Sequence, residues 1–286
     1  GQITYIDAGG DSYYHSLQTR MRKRFSDGLL FGVAYTFGKS IDTQSVDPVQ
    51  ASSGGGLSTI NARTPTDVRN WRSERGRSDF DRTHVFTSNF VYDLPFGRRG
   101  SGFTKAVLGG WSLNGIYTAM SGEPFSVRSG VRTSNNSHES RAAIVGEAPE
   151  VRLQEKAGVL GPVVFGPDAV CSTAVTTNCF TTPEPGSNGA GRNIFTAPGY
   201  WNTDLSVVKR FVVTERVTVQ FRTEAFNVFN HANFDNPRDA SSSSTAINST
   251  LFGQSCCSTV APASTQAIIQ TGESARVVQF ALKLDF

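Results

Sequence analysis

The sequence predicts an all-β fold of long antiparallel strands, and three of its features lead to this prediction. Stretches of about 11 to 14 residues alternate an apolar or aromatic residue with a small or polar one. No apolar run approaches the ~18 residues that a membrane-spanning helix requires. Short and long links alternate along the chain between these stretches. This combination is typical of an antiparallel transmembrane β-barrel.

The alternating stretches predict about seven strands. Transmembrane strands need ~9–11 residues, whereas strands of soluble proteins average ~5–6. We expect the fourth stretch, Gly109 to Arg128, to be one tall strand bent at Gly122-Glu123-Pro124, because only then do all long links fall at one end of the sheet. The predicted strands cover approximately residues 13 to 25, 28 to 41, 83 to 95, 109 to 128, 204 to 211, 217 to 224 and 275 to 286.

The links supply a second argument for a barrel, because outer-membrane barrels have short periplasmic turns and longer extracellular loops. We expect Ser26-Asp27-Gly28 to be a three-residue hairpin link, since Gly at the end of such a link is typical hairpin chemistry. The long links are rich in Gly, Ser, Asn and Thr and are expected to be extracellular loops. Short links cover residues 26 to 28, 96 to 108 and 212 to 215, and long links 42 to 82, 130 to 199 and 230 to 274.

The last strand shows the division into two faces most clearly. We expect lipid to lie against its apolar face and the barrel lumen against the other. The lumen face of the last two strands carries four charges, Arg222, Glu224, Lys283 and Asp285, which could contact a plug or solute or could form ion pairs that hold neighbouring strands. The apolar face of the last strand carries Val278, Phe280, Leu282, Leu284 and Phe286.

The cysteines all lie in loop-like sequence, where an extracellular location would let them oxidise. Cys171 and Cys179 have a spacing that suits a small closed loop. The vicinal pair Cys256 and Cys257 could bridge to that loop or to each other, and free thiols are the alternative for all four. Zinc is disfavoured because no His lies nearby in the sequence.

Composition argues against several other functions. Charged residues make up 18% of the chain, below the ~25% usual for soluble domains. A net charge of +3 without a basic patch gives no reason to expect nucleic acid as a partner. Asp79, Asp81 and His84 could be considered for metal or acid–base chemistry, but Asp and Ser are also common turn formers before a strand. We therefore expect no catalytic residues, no cofactor and no enzymatic activity.

Several short motifs, taken in their order along the chain, resemble those of a known family. Together they resemble the C-terminal part of TonB-dependent transporters of the Oar-like type. The motifs are Tyr14-His15-Ser16-Leu17-Gln18 with Lys23-Arg24-Phe25, Ala34 to Asp42, Ser78-Asp79-Phe80-Asp81-Arg82-Thr83-His84-Val85-Phe86, Leu94-Pro95-Phe96-Gly97, Trp111 to Gly115, Ser121-Gly122-Glu123-Pro124-Phe125, Gly191-Arg192-Asn193 and Phe221 to His231.

The resemblance implies a barrel of about 22 strands in a Gram-negative outer membrane, filled by a plug and energised by a TonB complex. The whole chain, residues 1–286, would be the C-terminal part of such a receptor, an incomplete barrel without the plug domain and signal peptide. TonB would then act through N-terminal parts that this chain lacks. The resemblance also implies that the alternating residues ending at Phe286 form the signal by which the barrel-assembly machinery recognises the protein.

Three functions follow as hypotheses. The first is a barrel wall that moves a bulky, unknown solute across the outer membrane. The second is a passive or adhesive surface protein whose long loops bind an extracellular partner. The third is a secreted soluble β-sandwich, which would fold without detergent. Both membrane hypotheses make outer-membrane lipid a partner of the apolar face.

Overall fold

The computed structural model describes residues 9–45, 67, 69–96, 102–133, 140–159, 161–234, 236–237, 245–255 and 275–286. Strands dominate these residues. They are β1 (Ser12–Ser26), β2 (Leu29–Asp42), β3 (Gly76–Arg77), β4 (His84–Asp93), β5 (Trp111–Met120), β6 (Pro124–Phe125), β7 (Ala143–Val145), β8 (Cys179–Thr181), β9 (Phe195–Thr196), β10 (Tyr200–Val212), β11 (Thr218–Phe226) and β12 (Val277–Asp285).

Seven long strands form one antiparallel sheet in the order β1-β2-β4-β5-β10-β11-β12, with the two-residue strand β3 paired to β2. The long strands contain 9 to 15 residues. The predicted all-β antiparallel fold and its long strands are confirmed. Strands β1 and β12 each have one neighbour in this sheet, so the described residues form an open sheet rather than a closed barrel.

The first hairpin is tighter than the sequence prediction. Ser26 pairs with Leu29, so the turn consists of Asp27 and Gly28 alone. Both residues have positive φ, 54° and 82°. Two consecutive positive φ angles define the type I′ turn, which Asp-Gly favours because its twist matches that of the strands. The expected three-residue link is therefore wrong by one residue.

The predicted tall strand from Gly109 to Arg128 is also wrong. Strand β5 ends at Met120, and β6 belongs to a separate two-stranded sheet with β9. Gly122 allows the chain to leave the line of β5, because an added Cβ there would lie 1.8 Å from the carbonyl oxygen of Ala197. Only glycine permits two backbones to pass this closely. Strand β5 runs only once from the short-connection end of the sheet to the opposite end, so the long connections still lie together at one end of the sheet.

Two connections contain structure that the sequence did not predict. The link between β4 and β5 carries a short helix, α1 (Gly102–Leu108). The long connections, expected as irregular loops, contribute to a packed body with its own core. We call this body the cap and define it as residues 121–133, 140–159, 161–199 and 245–255. It lies at the long-connection end of the sheet.

Candidate functional site

Strand register divides the sheet into two faces, because directly paired residues of neighbouring strands point the same way. One row of partners runs Arg22, Gly32, Asn89, Ile116 and Asp204 across five strands. We call this side the polar face. The opposite side, the apolar face, carries residues such as Leu17, Met21, Phe31, Phe86, Phe90, Leu113, Leu205, Val207, Phe221, Phe280, Leu282 and Leu284.

The apolar face is exposed on the described protein. Leu17 and Phe280 expose 61% and 69% of their surface, and Phe286 beyond the last strand exposes 97%. Soluble proteins rarely expose contiguous apolar surface on this scale. Phe25, Phe96, Phe211 and Phe286 all lie at the short-connection end and are exposed.

The four candidate charges lie together on the polar face of β11 and β12. Arg222 Nε lies 3.2 Å from Glu224 Oε1, and Lys283 Nζ lies 2.7 Å from Asp285 Oδ1. Both ion pairs therefore join residues of one strand rather than neighbouring strands. The side-chain bond between the strands runs from Gln279 to Glu224.

Lys209 is an exception that the sequence reading did not single out, because register places this cation on the apolar face. Its side chain is nonetheless buried, with 2% exposed. The ammonium lies 5.1 Å and 4.8 Å from the ring centres of Trp111 and Phe211 and satisfies the carbonyls that end α1. Its Nζ donates to the carbonyl oxygens of Ala106, Val107 and Gly109.

The cap is held together by phenylalanine. Phe165 is 1% and Phe180 0% exposed, and each contacts rings from other cap segments. Ring centres in this cluster lie 5.1 to 5.9 Å apart, the range in which aromatic pairs attract. Its members are Phe125, Phe165, Phe180, Phe195 and Phe252. These rings are scattered along the sequence without a period, so no pattern signalled them.

A disulfide joins Cys171 to Cys179 next to this core, with the Cα atoms 5.1 Å apart. Cys179 is fully buried and lies directly before Phe180. The bridge therefore closes a small loop against the aromatic cluster. Cys256 and Cys257 lie outside the described residues.

A buried network of charges joins the cap to the end of β2. Arg192 of the cap pairs with the Asp42 carboxylate, and its Nη2 also donates to the Asp42 carbonyl oxygen at 2.7 Å. Arg141 Nη1 donates to Glu74 Oε2 at 2.7 Å, and Arg192 Nε donates to the Glu74 carbonyl oxygen at 2.8 Å. Asp42 is 2% exposed, so its charge depends on this partner.

The adjoining motif residues complete this network. Asn193 Nδ2 donates to Asp79 Oδ1 at 2.6 Å and to the Arg77 carbonyl oxygen at 2.7 Å. Asp81 accepts from the Ser40 backbone N–H at 2.6 Å and from Arg77 Nε at 2.9 Å. We call the whole set the rim network; it consists of Asp42, Glu74, Arg77, Asp79, Asp81, Arg141, Arg192 and Asn193.

The structure separates the three residues considered for metal or acid–base chemistry. Asp79 and Asp81 belong to the rim network, whereas His84 lies on the apolar face, where its Nδ1 lies 2.7 Å from the Tyr35 hydroxyl. Among the described residues no group of three or more His, Cys, Asp or Glu side chains could hold a metal ion. Asp79 contacts the cap through Asn193 and Arg192, Asp81 bonds to Ser40 of β2 and Arg77 of β3, and His84 bonds to Tyr35 of β2.

Comparison with known proteins gives the chain a family. The model of the family described as "outer membrane beta barrel domain" matches residues 1–279. Comparison with curated proteins and with solved structures found no match. Within the described part of the chain, no helix is both long and apolar enough to cross a membrane. The exposed apolar face, the long antiparallel strands and the family match agree on a location in the outer membrane. The chain belongs to the outer membrane beta barrel domain family.

Proposed function

We propose that the chain forms part of the wall of a TonB-dependent transporter of the Oar-like type, which moves a bulky solute across the outer membrane. In this proposal the apolar face meets lipid and the polar face lines the lumen. The long-connection end faces outside, so the cap lies at the external mouth. Charges such as Arg222 and Lys283 then lie where water or a plug can contact them.

The observation that carries this proposal is the rim network. Three motifs of the family resemblance, Ala34 to Asp42, Ser78 to Phe86 and Gly191 to Asn193, are far apart in the sequence. Their members Asp42, Asp79 and Arg192 meet in one buried cluster. A second contact of this kind joins Arg82 Nη2 to Glu123 Oε1 at 2.7 Å. Shared motifs that converge at the mouth of the sheet support a shared architecture.

The proposal assigns partners to parts of the molecule. Closing the barrel requires further strands between the free edges of β1 and β12, and the TonB complex would act through a plug that these strands surround. The barrel-assembly machinery would recognise the alternating residues of the last strand, Val278, Phe280, Leu282, Leu284 and Phe286. We assign no catalytic residue and no cofactor to the chain.

The test is an interaction experiment with the intact gene product. The complete protein should co-purify with the periplasmic domain of TonB, and its coding region before Gly1 should encode a plug. A complete protein without a plug, or one that fails to bind TonB while folded in the outer membrane, would contradict active transport.

The alternative is a passive or adhesive surface protein, whereas location in the outer membrane excludes the secreted soluble β-sandwich. One observation favours the adhesive function: the cap has a buried aromatic core and a disulfide, which would hold the long connections in one shape for binding. Whole cells that bind an extracellular partner equally well with and without TonB would support this alternative. Binding or uptake that disappears with TonB would support the transporter.

A further inference from the structure

A cavity of about 540 Å³ lies on the apolar face at the end of the sheet next to the cap. Phe86, Tyr117 and Ala119 line it from the sheet, and Leu153 and Phe234 line it from the long connections. Its volume falls within the ~300–1,000 Å³ of small-molecule sites, which are also predominantly apolar. Phe86, Tyr117, Ala119 and Trp201 open the cavity toward the apolar face, whereas Met120 and Tyr200, which have polar-face register, lie at its edge where the strands end.

The position of the cavity along the strands places it at one boundary of the bilayer. Trp201, at its wall, and Phe211 lie on the same face of β10, ten positions apart. At ~3.3 Å per residue this is about 33 Å along the strand. A tilt of ~40° reduces it to a height of about 25 Å, which equals the apolar band of an outer-membrane barrel. The cavity therefore lies at headgroup level, opposite Phe211.

One residue in the wall of the cavity, His231, has a ring nitrogen without a partner among the described residues. The ring of His231 packs on Trp201 with 4.0 Å between ring centres. Its Nδ1 is buried and makes no hydrogen bond among the described residues. A buried polar atom without a partner costs about 1–3 kcal/mol, and a turn of the His231 ring that brings Nδ1 to a ligand in the cavity removes this cost.

We propose that this cavity binds the upper part of one membrane-lipid acyl chain, and that the His231 ring turns so that its Nδ1 donates a hydrogen bond to the ester or amide carbonyl of that lipid. The floor of the cavity is continuous with the apolar face that meets the bilayer, so a lipid chain enters it sideways without leaving hydrocarbon. At headgroup level the same lipid presents its carbonyl. The cavity thus provides an apolar surface for the chain and a donor for the linkage.

The test uses fluorescence quenching by brominated lipid in the reconstituted full-length protein, in which every tryptophan outside this chain is replaced by Phe. Trp71→Phe and Trp111→Phe leave Trp201 as the only tryptophan of this chain. The probe is a phosphatidylethanolamine brominated near the ester end of its chains, mixed into phosphatidylethanolamine vesicles. We expect Trp201 to reach half-maximal quenching at a mole fraction of the probe at least fivefold lower than a surface position does. The matched surface position is Leu205→Trp combined with Trp201→Phe, on the same strand and face.

Three substitutions show whether the cavity is responsible. Ala119→Phe fills the cavity and should shift the quenching curve of Trp201 to that of the surface position. Ala225→Phe, on the same face of β11 and outside the cavity lining, should leave the curve unchanged. His231→Phe keeps a ring on Trp201 and should reduce the preference roughly fivefold. Equal curves for positions 201 and 205, or no effect of Ala119→Phe, would overturn the proposal. None of these outcomes depends on TonB or on transport.

Discussion

The long-stranded sheet and the cap contain the same kinds of apolar side chains, but the sheet exposes them and the cap buries them. Phe280 and Leu282 of β12 expose 69% and 67% of their surface, whereas Phe165 and Phe180 of the cap are almost completely buried. Charged side chains differ in exposure as well. Arg192 of the cap is buried with Asp42, whereas Lys283 on the sheet is exposed. The cap therefore carries an apolar core of its own and is joined to the sheet by buried ion pairs, whereas the sheet depends on a partner for its apolar face, which we propose to be lipid.

The largest effect is expected from separating the two regions at the rim network. Arg192→Ala leaves Asp42 buried and unpaired, which costs about 5 kcal/mol, the upper end of the range for broken buried pairs. Hydrogen exchange of the purified protein should then show the cap open while amides of β10 and β11 stay protected. Arg152→Ala is the control, because the Arg152–Glu150 pair is 75% and 80% exposed and should change nothing measurable.

The next largest effect is expected inside the cap. Phe165→Ala removes the ring that contacts four others, and large-to-small changes at buried Phe cost about 3–5 kcal/mol. The cap should become sensitive to protease while the sheet remains inserted. Phe103→Ala, which removes an 83% exposed ring on α1, should leave cap proteolysis as it was. If Phe165→Ala also removed the protein from the membrane, the two regions would not be independent.

A charge on the apolar face should affect the sheet alone. Val207→Lys places an ammonium where no carbonyl cluster like that of Lys209 lies, and a cation on the lipid face costs about 2–4 kcal/mol near the midplane. Urea unfolding in lipid vesicles should show this loss. Ser206→Lys, one residue away on the polar face, is the matched control and should be tolerated. Equal losses for both variants would contradict the assignment of faces.

The smallest effect is expected at the disulfide. A bridge that closes so short a loop contributes about 2–3 kcal/mol. Cys171→Ser combined with Cys179→Ser should increase hydrogen exchange around β8 and leave the sheet unaffected. Reductant should reproduce this increase in the original protein and have no further effect on the double variant at these positions.

The sheet was predictable from the sequence because its signal repeats. The alternation along β2, β11 and β12 follows from the pleat of a β-strand. The two faces of each strand can therefore be predicted from the sequence of that strand alone. Lys209 is an exception to this alternation, because it lies on the apolar face and bonds to carbonyl oxygens of α1. Contacts to backbone atoms cannot be predicted from a pattern of side chains. The turn was shorter than expected because Asp27 also adopts a positive φ.

The cap was not predictable, for physical reasons that its residues make plain. Phe125 and Phe252 belong to one core cluster although 127 positions separate them, and a core assembled from irregular segments has no period. Gly and Ser in such segments favour loops locally but do not prevent packing of the rings between them. Arg192 and Asp42 both lie within motifs of the family resemblance, but neither motif contains a pattern that predicts their pairing.

The most direct test of this account is the accessibility of two adjacent positions on β10. Ser206→Cys and Val207→Cys, each with Cys256 and Cys257 replaced by Ser, would carry a spin label in outer-membrane lipid. We expect the label at 207 to collide with oxygen dissolved in the bilayer and the label at 206 to be sheltered from it. Equal exposure of both labels to oxygen would contradict the claim that the membrane lies against one face of this sheet.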